Sequence, residues 1–467
     1  MGAAWLHGGM SFRLLDQQRA FVEACARPHG AVLALGGPGV GKTTALVEAV
    51  AQRVEAGAHM DRLVVLTWSR PAAQRLRARI VARLASSQLA PVITTVPGWC
   101  LALQRRFGHL DADGQLPHVL TGPEQQMQVR ELVVQLGRDL WPESVRAAIA
   151  TMAFSQELRT GMARARQQGL DPDDLVRLGR RTGREEWVSM GLFFENYLDV
   201  LDAQPAWDYA ELVHRTRLLL LEAPVSSVLT EEIEGVFCDE FAELDRSQIA
   251  LLEQVHQVGI PVAATADPQS SVFAFRGADP RAVADFGRRF EVTGLPGPER
   301  IDLSTSLRGT AGLQRGIASL IARNPVAGGG SGTRPHEAGA VSGADRAEQI
   351  VCRSYETAAA EIAGVAEDLR TARLAGVMWS QQAVICRAGR GQLGTIARGL
   401  ANQGIPVEVA GSDIALSEQA CVVTLMDALA VALGFSRRVP PDPDQLAQQL
   451  QGLAVRQHGQ RDPVHRG

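Results

Sequence analysis

The sequence predicts an α/β fold in which short apolar strands alternate with helices around a parallel β-sheet. Apolar runs of strand length stand at residues 31–35, 63–67 and 234–238, and polar residues and a helical pattern follow. The first run continues into a glycine-rich stretch, GGPGVGKTT, that opens the next helix. Between residues 108 and 199 helical patterns replace the apolar runs, which predicts a helical insertion within the α/β domain.

The stretch at residues 31–44, AVLALGGPGVGKTT, has the spacing of a phosphate-binding loop and predicts a P-loop NTPase. Its glycines let backbone N–H groups turn toward a phosphate, and the helix N-terminus adds a partial positive charge. Lys42 is predicted to reach the β- and γ-phosphates of ATP, and the Thr43 hydroxyl to bind Mg²⁺. The predicted nucleotide-binding residues of the loop are Gly36, Gly37, Pro38, Gly39, Val40, Gly41, Lys42, Thr43 and Thr44.

The lysine of this motif is unusual for the chain. The sequence contains 47 Lys and Arg residues in total, and Lys42 is the sole lysine among them. Arginine is a planar fork, whereas lysine is a compact point charge on a flexible stem. A chain that uses arginine at every other basic position therefore indicates a need for an ammonium group here.

Two carboxylates, Asp239 and Glu240, directly follow the apolar run EGVFC at residues 234–238. Acidic residues at the end of a buried strand are the usual partner of a phosphate loop. Asp239 is predicted to hold Mg²⁺, and Glu240 to accept a proton from the attacking water. The pair therefore predicts hydrolysis of the bound nucleotide.

Aromatic residues and an arginine follow two further strand ends, at residues 63–67 and 260–265. Aromatic faces beside cationic groups suit stacking on the bases of single-stranded nucleic acid. For Trp68, a place in the core beneath a solvated arginine face is an equal alternative. The predicted DNA-binding residues are Trp68, Phe273, Phe275 and Arg276.

Gln18 lies on a predicted helix shortly before the phosphate loop. Its amide both donates and accepts, so it could read an adenine edge. The alternative is a glutamine that is simply solvated on its helix.

Length and composition bound the class of protein. A chain of 467 residues is too long for one ordinary hydrophobic core, so two to four domains are predicted. Its content of 46% hydrophobic and 21% charged residues is typical of soluble globular proteins. Because the net charge is −4, nucleic-acid binding must come from a local arginine-rich face. The six scattered cysteines support neither disulfides nor a metal cluster. No apolar run reaches membrane-spanning length and no signal pattern is present, so we expect a cytoplasmic protein without a membrane partner.

Beyond residue 300 the alternation of strands and helices continues. Residues 301–308 predict a strand that ends at Arg308, and the Gly/Ser/Pro-rich residues 328–344 predict a loop. Further strands are predicted at residue 351, at 382–386 and at 406–410. The tail loses its apolar residues after Leu453 and is predicted to be unfolded.

The motifs, in this order, resemble those of the UvrD/Rep/PcrA group of superfamily 1A DNA helicases and their RecB-like relatives. LLDQQRAFV is similar to the Q motif, GGPGVGKTT to motif I, TWSRPAAQRLRARI to TFTNKAA-x-x-M-x-x-RI, and TVPGWC to TFHSFC. WDYAELV resembles DFDDLL, CDEFAELD resembles DEYQDTN, ADPQSSVFAFRGA resembles GD-x-x-QSIY-x-FRGA, and LSTSLRG resembles L-x-x-NYRS.

This resemblance implies two RecA-like lobes that hold ATP between them, with single-stranded DNA across their tops. The implied domains are a first lobe at residues 11–108 and 200–295, a helical insertion at 109–199, a partial second lobe at 296–424, and the start of a second insertion at 425–467. In this family Gln18 would read adenine and Arg308, from the second lobe, would touch the γ-phosphate. Trp68, Phe273 and Phe275 would stack on bases, and Arg276 would bind DNA phosphate. The implied function is an ATP-dependent, 3′-to-5′ DNA helicase of repair and recombination, stimulated by single-stranded or partly duplex DNA.

The chain departs from the family pattern at several positions. Where the family has a glutamine in motif II and another in motif III, this chain has Ala242 and Ser270. In place of the Asn and Tyr of the NYR motif it has Ser306 and Leu307. The arginine-rich style most resembles actinobacterial AdnA/AdnB-type subunits, which implies a second motor–nuclease subunit as partner. Motifs V and VI do not appear before residue 467, so we expect a truncated chain. The alternative function is a subunit that binds nucleotide or single-stranded DNA without productive unwinding.

Overall fold

The fold is described from a computed structural model, which gives residues 14–84, 91–108, 117–204, 206–323, 337–338, 350–387, 392–409 and 425–426. The chain divides into two compact units, residues 5–350 and residues 351–467 with residues 1–4. The phosphate loop, the acidic pair and the aromatic residues predicted above all belong to the unit of residues 5–350.

A six-stranded, wholly parallel sheet forms the centre of this unit. The strands in the described residues are β1 (Ala31–Leu35), β2 (Leu63–Thr67), β3 (Val92–Thr95), β4 (His118–Val119), β5 (Ala206–Trp207), β6 (Gly235–Cys238), β7 (Val262–Ala266), β8 (Glu299–Asp302), β9 (Thr305–Ser306) and β10 (Glu337–Ala338). The large sheet has the order β3-β2-β6-β7-β1-β8, and the short strands form two separate pairs, β4 with β5 and β9 with β10. In register, Ala31 of β1 lies opposite Val262 of β7.

Helices precede, follow and interrupt this sheet. They are α1 (Asp16–Cys25), α2 (Lys42–Glu55), α3 (Arg70–Leu84), α4 (Val96–Phe107), α5 (Gly122–Leu136), α6 (Glu143–Arg146), α7 (Met152–Gln167), α8 (Pro172–Thr182), α9 (Glu185–Ala203), α10 (Tyr209–Leu219), α11 (Ala223–Glu232), α12 (Arg246–Gln257), α13 (Arg281–Ala284), α14 (Phe286–Arg289), α15 (Ala311–Ile321), α16 (Ala358–Leu374) and α17 (Leu393–Asn402). Single 3₁₀ turns lie at Met60–Arg62, Phe241–Glu243, Ala274–Arg276 and Trp379–Gln381.

The central strands are apolar on both sides because helices cover both faces of the sheet. Every residue of β1, β2 and β7 is buried. Leu33 and Leu35 of β1 belong to the same core as α4, α10 and α12, whereas Val32 and Ala34 belong to a second core with α1, α2 and α3. Burying a side chain such as Leu33 stabilises the fold by about 1.5–3 kcal/mol.

Residues 122–203, which overlap the expected insertion at 109–199, are mostly helical and have a hydrophobic core of their own around Phe193 and Tyr197. Helix α5 begins with the capping box that the sequence TGPE predicts, in which the Thr121 N–H donates to the Glu124 carboxylate at 2.7 Å. A buried ion pair stabilises the junction with the sheet domain: Arg166 of α7 lies 2.8 Å from Glu211 of α10.

The sheet extends further along the chain than we expected. Strand β8 pairs with β1 in parallel, with Val32 opposite Glu299, so the sheet continues beyond residue 295, the expected end of the first lobe. Residues 303–323 belong to the same compact unit as this sheet.

The unit that begins at Val351 differs from its prediction. Its helices α16 and α17 pack together through Ala366, Leu400 and Ile405. The strands predicted at residue 351, at 382–386 and at 406–410 are wrong for the described residues there, which lie in no strand. Val384 and Ile385 are exposed, because the described residues of this unit offer these segments no partner strand. Three predicted segments lie wholly or partly outside the described residues. They are residue 410, the tail after Leu453, and the loop predicted at 328–344, of which only Glu337–Ala338 is described.

The predicted α/β fold class with a parallel sheet is confirmed for residues 14–302. The alternation of apolar strands and amphipathic helices was sufficient to predict it.

Candidate nucleotide site and adjoining aromatic groove

The candidate site lies where the carboxyl ends of β1, β6 and β7 meet, the edge at which open parallel sheets bind ligands. The phosphate loop joins β1 to α2, and Lys42 is the first residue of that helix. Gly39 and Gly41 have φ angles of +83° and +82°, which residues with a Cβ adopt only with strain. A Cβ on Gly41 would also lie 2.4 Å from the side-chain nitrogen of Gln18. The loop therefore needs glycine at both positions.

Lys42 points back into the phosphate loop. Its Nζ donates to the carbonyl oxygens of Gly36 at 2.7 Å and Gly37 at 2.8 Å. Asp267, which directly follows β7, lies 3.8 Å from the same nitrogen. Burial lowers the pKa of Lys42, and the neighbouring carboxylates, Asp267 first, oppose that change. The ammonium group is thus held where the loop would enclose a phosphate.

Thr43 and Asp239 meet, as a shared Mg²⁺ site requires. The Thr43 hydroxyl donates to the Asp239 carboxylate at 2.9 Å, and the Thr265 hydroxyl donates to its other oxygen. Asp239 is 4% exposed, and its backbone N–H donates to Leu66 O at 2.9 Å. A hydroxyl and a carboxylate are the hard oxygen ligands that Mg²⁺ takes together with water and substrate phosphates. These residues therefore fit the metal.

Glu240 stands beside Asp239 in a strained backbone conformation. Its φ of 60° is the one positive φ of a non-glycine residue in the described part of the chain. Burial raises the pKa of Glu240 to about 7, Asp239 adds to the rise, and the side chain of Trp68 opposes it through a hydrogen bond. A carboxylate whose pKa lies near the working pH is suited to general base catalysis.

Arg79 is a site residue that the sequence reasoning missed. From α3 it donates to the Thr44 hydroxyl at 2.7 Å. Burial lowers the pKa of Arg79, Asp239 opposes the change, and Arg308 adds to it, so this guanidinium faces both groups. Residues 70–79 contain four arginines, and sequence spacing did not indicate which of them points toward the phosphate loop.

Gln18 contacts the phosphate loop. Its side-chain nitrogen donates to Val40 O at 2.9 Å, its side-chain oxygen accepts from the Leu15 N–H at 3.0 Å, and the residue is 1% exposed. The alternative of a merely solvated glutamine is therefore wrong. The reading of adenine stays a prediction.

Arg308 lies on the same compact unit as the phosphate loop, so the expectation that a second lobe supplies it is wrong for this structure. The physical reason is that β8 extends the sheet beside β1 and carries the following residues onto the loop. Ser306 donates to Pro38 O at 3.0 Å, and the Leu307 N–H donates to Gly39 O at 2.9 Å. Arg308 itself is exposed.

An aromatic groove adjoins the acidic pair. The rings of Trp68 and Phe273 lie 4.3 Å apart between centroids, and the Arg276 guanidinium lies 5.1 Å from the Phe273 ring. Trp68 is therefore not simple core filler. Phe275 belongs to the turn Ala274–Arg276, and its side chain lies outside the described residues.

The groove opens into a cavity of about 760 Å³ between the sheet and the helical insertion. Tyr209, half exposed at the start of α10, lines it together with Arg70 and Arg276. Glu243 fixes the loop that carries Phe273 by accepting from the N–H groups of Val272 and Phe273, both at 3.1 Å. Sequence reasoning missed Tyr209 and Glu243, although each stands in a motif quoted above.

Comparisons with known proteins agree with this arrangement. The UvrD/REP helicase N-terminal domain family matches residues 14–291, more than half of the chain. The chain belongs to the UvrD/REP helicase family. It is 25% identical over 316 residues to DNA helicase II of Escherichia coli, an alignment that covers 67% of this chain and 40% of that protein.

Other relatives give the same result. ATP-dependent DNA helicase UvrD1 of Mycobacterium tuberculosis is 25% identical over 341 residues, which cover 67% of this chain and 40% of that protein. ATP-dependent DNA helicase SRS2 of Saccharomyces cerevisiae is 23% identical over 305 residues, which cover 61% of this chain and 25% of that protein. The match to the bacterial helicases thus spans about two-fifths of their length.

Two negative findings apply to the described residues of this UvrD/REP helicase family member. None of their helices has the length and apolar character needed to cross a bilayer. None of their His, Cys, Asp and Glu side chains form a cluster of three or more that could hold a metal ion.

Proposed function

We propose that this chain is the ATP-hydrolysing motor part of a DNA helicase that moves 3′-to-5′ along single-stranded DNA in repair or recombination. One observation carries the proposal: the Trp68 ring packs on Phe273 with 4.3 Å between centroids, and the same side chain lowers the pKa of Glu240, so an aromatic groove adjoins the hydrolytic carboxylate. A P-loop ATPase unrelated to nucleic acid would have no use for that connection.

The nucleotide half of the proposal rests on six side chains. Lys42 and the loop N–H groups would bind the phosphates, and Thr43 with Asp239 would hold Mg²⁺. Mg²⁺, when bound, neutralises phosphate charge. Glu240 would orient the attacking water and accept its proton, which a pKa of about 7 allows near neutral pH. Arg79, whose pKa both Asp239 and Arg308 influence, and Arg308 itself would stabilise negative charge on the γ-phosphate.

The DNA half rests on the groove. Trp68, Phe273 and the half-exposed Tyr209 offer ring faces to unstacked bases, a contact worth about 1–3 kcal/mol per base. Arg70 and Arg276 at the rim supply the positive charge that an overall charge of −4 does not. Because Trp68 lowers the pKa of Glu240, a base bound at the groove would alter the surroundings of the hydrolytic carboxylate. That contact gives a physical route by which DNA would stimulate turnover.

The narrower assignments are part of the proposal. The 3′-to-5′ direction follows the family resemblance, and the arginine-rich, lysine-poor composition supports an AdnA/AdnB-type subunit with a second motor–nuclease partner in the cytoplasm. The alternative is a subunit that binds nucleotide and DNA without turnover. Ser306 and Leu307, in place of the Asn and Tyr expected next to Arg308, favour that alternative.

ATP hydrolysis by the full 467-residue chain tests the proposal, measured with and without a single-stranded oligonucleotide. We expect turnover that DNA stimulates and that Lys42→Ala lowers by about 10²–10³-fold, as removal of one transition-state donor does. Arg19→Ala, at an exposed position of α1, is the control and should retain turnover. ATP binding without turnover would favour the binding subunit, and turnover indifferent to DNA would refute the motor.

A further inference from the structure

The segment of residues 303–308, which we name the strap, runs against the phosphate loop. It begins at the end of β8, where the Leu303 N–H donates to Leu35 O at 2.7 Å. Its contact with the loop is close, because a Cβ on Gly36 would lie 2.7 Å from Leu303 O and one on Gly39 would lie 2.6 Å from the Ser306 hydroxyl. The strap thus packs along both ends of the GGPG turn.

Two strap hydrogen bonds fix peptide planes of the loop. Ser306 donates to Pro38 O at 3.0 Å, and the Leu307 N–H donates to Gly39 O at 2.9 Å. The described chain has no cis peptide bond, and in a trans peptide the C=O and the following N–H point in opposite directions. Because the strap holds these two carbonyls, the N–H groups of Gly39 and Val40 point away from it. Those N–H groups are the ones with which a phosphate loop binds its anion.

Helix α1 clamps the strap in turn. The Gln17 amide accepts from the Ser304 N–H at 2.8 Å and donates to the Ser304 hydroxyl at 2.9 Å. The next residue, Gln18, donates to Val40 O at 2.9 Å. Gln17 therefore holds the strap, and the next residue of the same helix, Gln18, holds the loop. The peptide planes that the strap orients lie between these two contacts.

We propose that Gln17 is a positioning residue that, through Ser304 and Ser306, holds the phosphate loop in its anion-binding shape. The inference rests on the proposed function only in taking a polyphosphate as the ligand of the loop. Its consequence is specific: loss of the clamp weakens the binding of phosphate itself, whether or not an adenine is attached. The same clamp fixes the residues that lead to Arg308, whose carbonyl accepts from the side chain of Gln314.

Dissociation constants of Mg·ATPγS and of Mg·tripolyphosphate test this inference in the full chain. Gln17→Met keeps the length of the side chain but loses both hydrogen bonds, and Ser306→Ala loses the bond to Pro38. We expect each variant to weaken both ligands by about 3- to 10-fold, the effect of one or two net hydrogen bonds. Gln17→Glu still accepts from the Ser304 N–H and hydroxyl and should bind more tightly than Gln17→Met.

The matched control is Gln52→Met, the same substitution at an exposed position of α2 about 15 Å along the helix from Lys42. Its affinities should equal those of the wild type. Wild-type affinity for tripolyphosphate in Gln17→Met and Ser306→Ala would refute the clamp alone. A wild-type protein that binds neither ligand would refute the proposed function together with it.

Discussion

Replacement of Glu240 by glutamine is expected to stabilise the fold at alkaline pH while it removes turnover. Burial and the neighbouring Asp239 raise the pKa of Glu240 from 4.5 to about 7. Because the folded state has the higher pKa, it binds more protons than the unfolded chain between these two values. The free energy of unfolding therefore falls as pH rises from about 4.5 to about 7, and the loss is complete above that range.

The magnitude follows from the same pKa. The difference between 4.5 and about 7 corresponds to about 3.4 kcal/mol at 1.36 kcal/mol per pKa unit. Glu240 is only partly buried, so solvent screening reduces the penalty, and we expect about 1–2 kcal/mol. Glutamine does not ionise, so Glu240→Gln gains this amount above pH 7 and close to none near pH 4.5. Loss of the general base should also lower ATP turnover by about 10²–10⁴-fold.

Urea denaturation at pH 4.5 and pH 8, with ATPase assays on the same samples, measures both effects. Glu231→Gln makes the same substitution at an exposed position of α11, and it should change the stability little at either pH. An equal gain at both pH values would show that the effect is not ionisation. A loss of stability at pH 8 would refute the reasoning, because it would mean that the ionised carboxylate stabilises the fold.

Three further substitutions test other contacts. Trp68→Phe keeps an aromatic ring but removes the indole N–H that lowers the pKa of Glu240, so the acidic limb of the ATPase pH profile should move upward from about pH 7. An unmoved limb would contradict this influence of Trp68. Gly41→Ala forces a Cβ into a loop position with φ +82° and should lower the free energy of unfolding by about 1–3 kcal/mol. It should also abolish nucleotide binding in a titration with Mg·ATPγS, and normal affinity would show that the loop tolerates the strain. Arg166→Met removes one partner of the buried Glu211 carboxylate and should lower the free energy of unfolding, measured in urea, by about 2–4 kcal/mol. A loss below about 0.5 kcal/mol would mean that the ion pair is dispensable.

The residues of the candidate nucleotide site could be picked out from the sequence because their chemistry is local. The glycine spacing, Lys42 and Thr43 lie within one strand–loop–helix unit, and the acids follow their strand directly. Parallel strands deliver their carboxyl ends to one edge, so the meeting of Thr43 with Asp239 at 2.9 Å follows from the pattern. Sequence reasoning missed Asp267, which follows β7 and lies 3.8 Å from Lys42, although the same rule applied to β7 would have found it.

Tertiary structure decided the contacts between segments distant in sequence. Strand β8 could have begun a separate lobe, but it pairs with β1 and carries Ser306 and Arg308 onto the phosphate loop. The clamp from Gln17 to Ser304 joins residues 287 positions apart, and neither residue type signals the other. Hydrogen bonds of this kind depend on which edge of the sheet accepts the next strand and on the direction of the chain after that strand. A pattern of apolar residues predicts neither.

Local sequence patterns are enough to predict the fold class of this protein: a parallel α/β fold around a phosphate loop whose lysine is the sole one in the chain. Periodicity and motif spacing act over a few residues, so they can be read without a partner segment. The folded structure was needed to show which arginine faces the loop, where Arg308 lies, and that Trp68 packs on Phe273 and lowers the pKa of Glu240. Those outcomes depend on the order of the strands in the sheet, which brings side chains together irrespective of their distance along the chain.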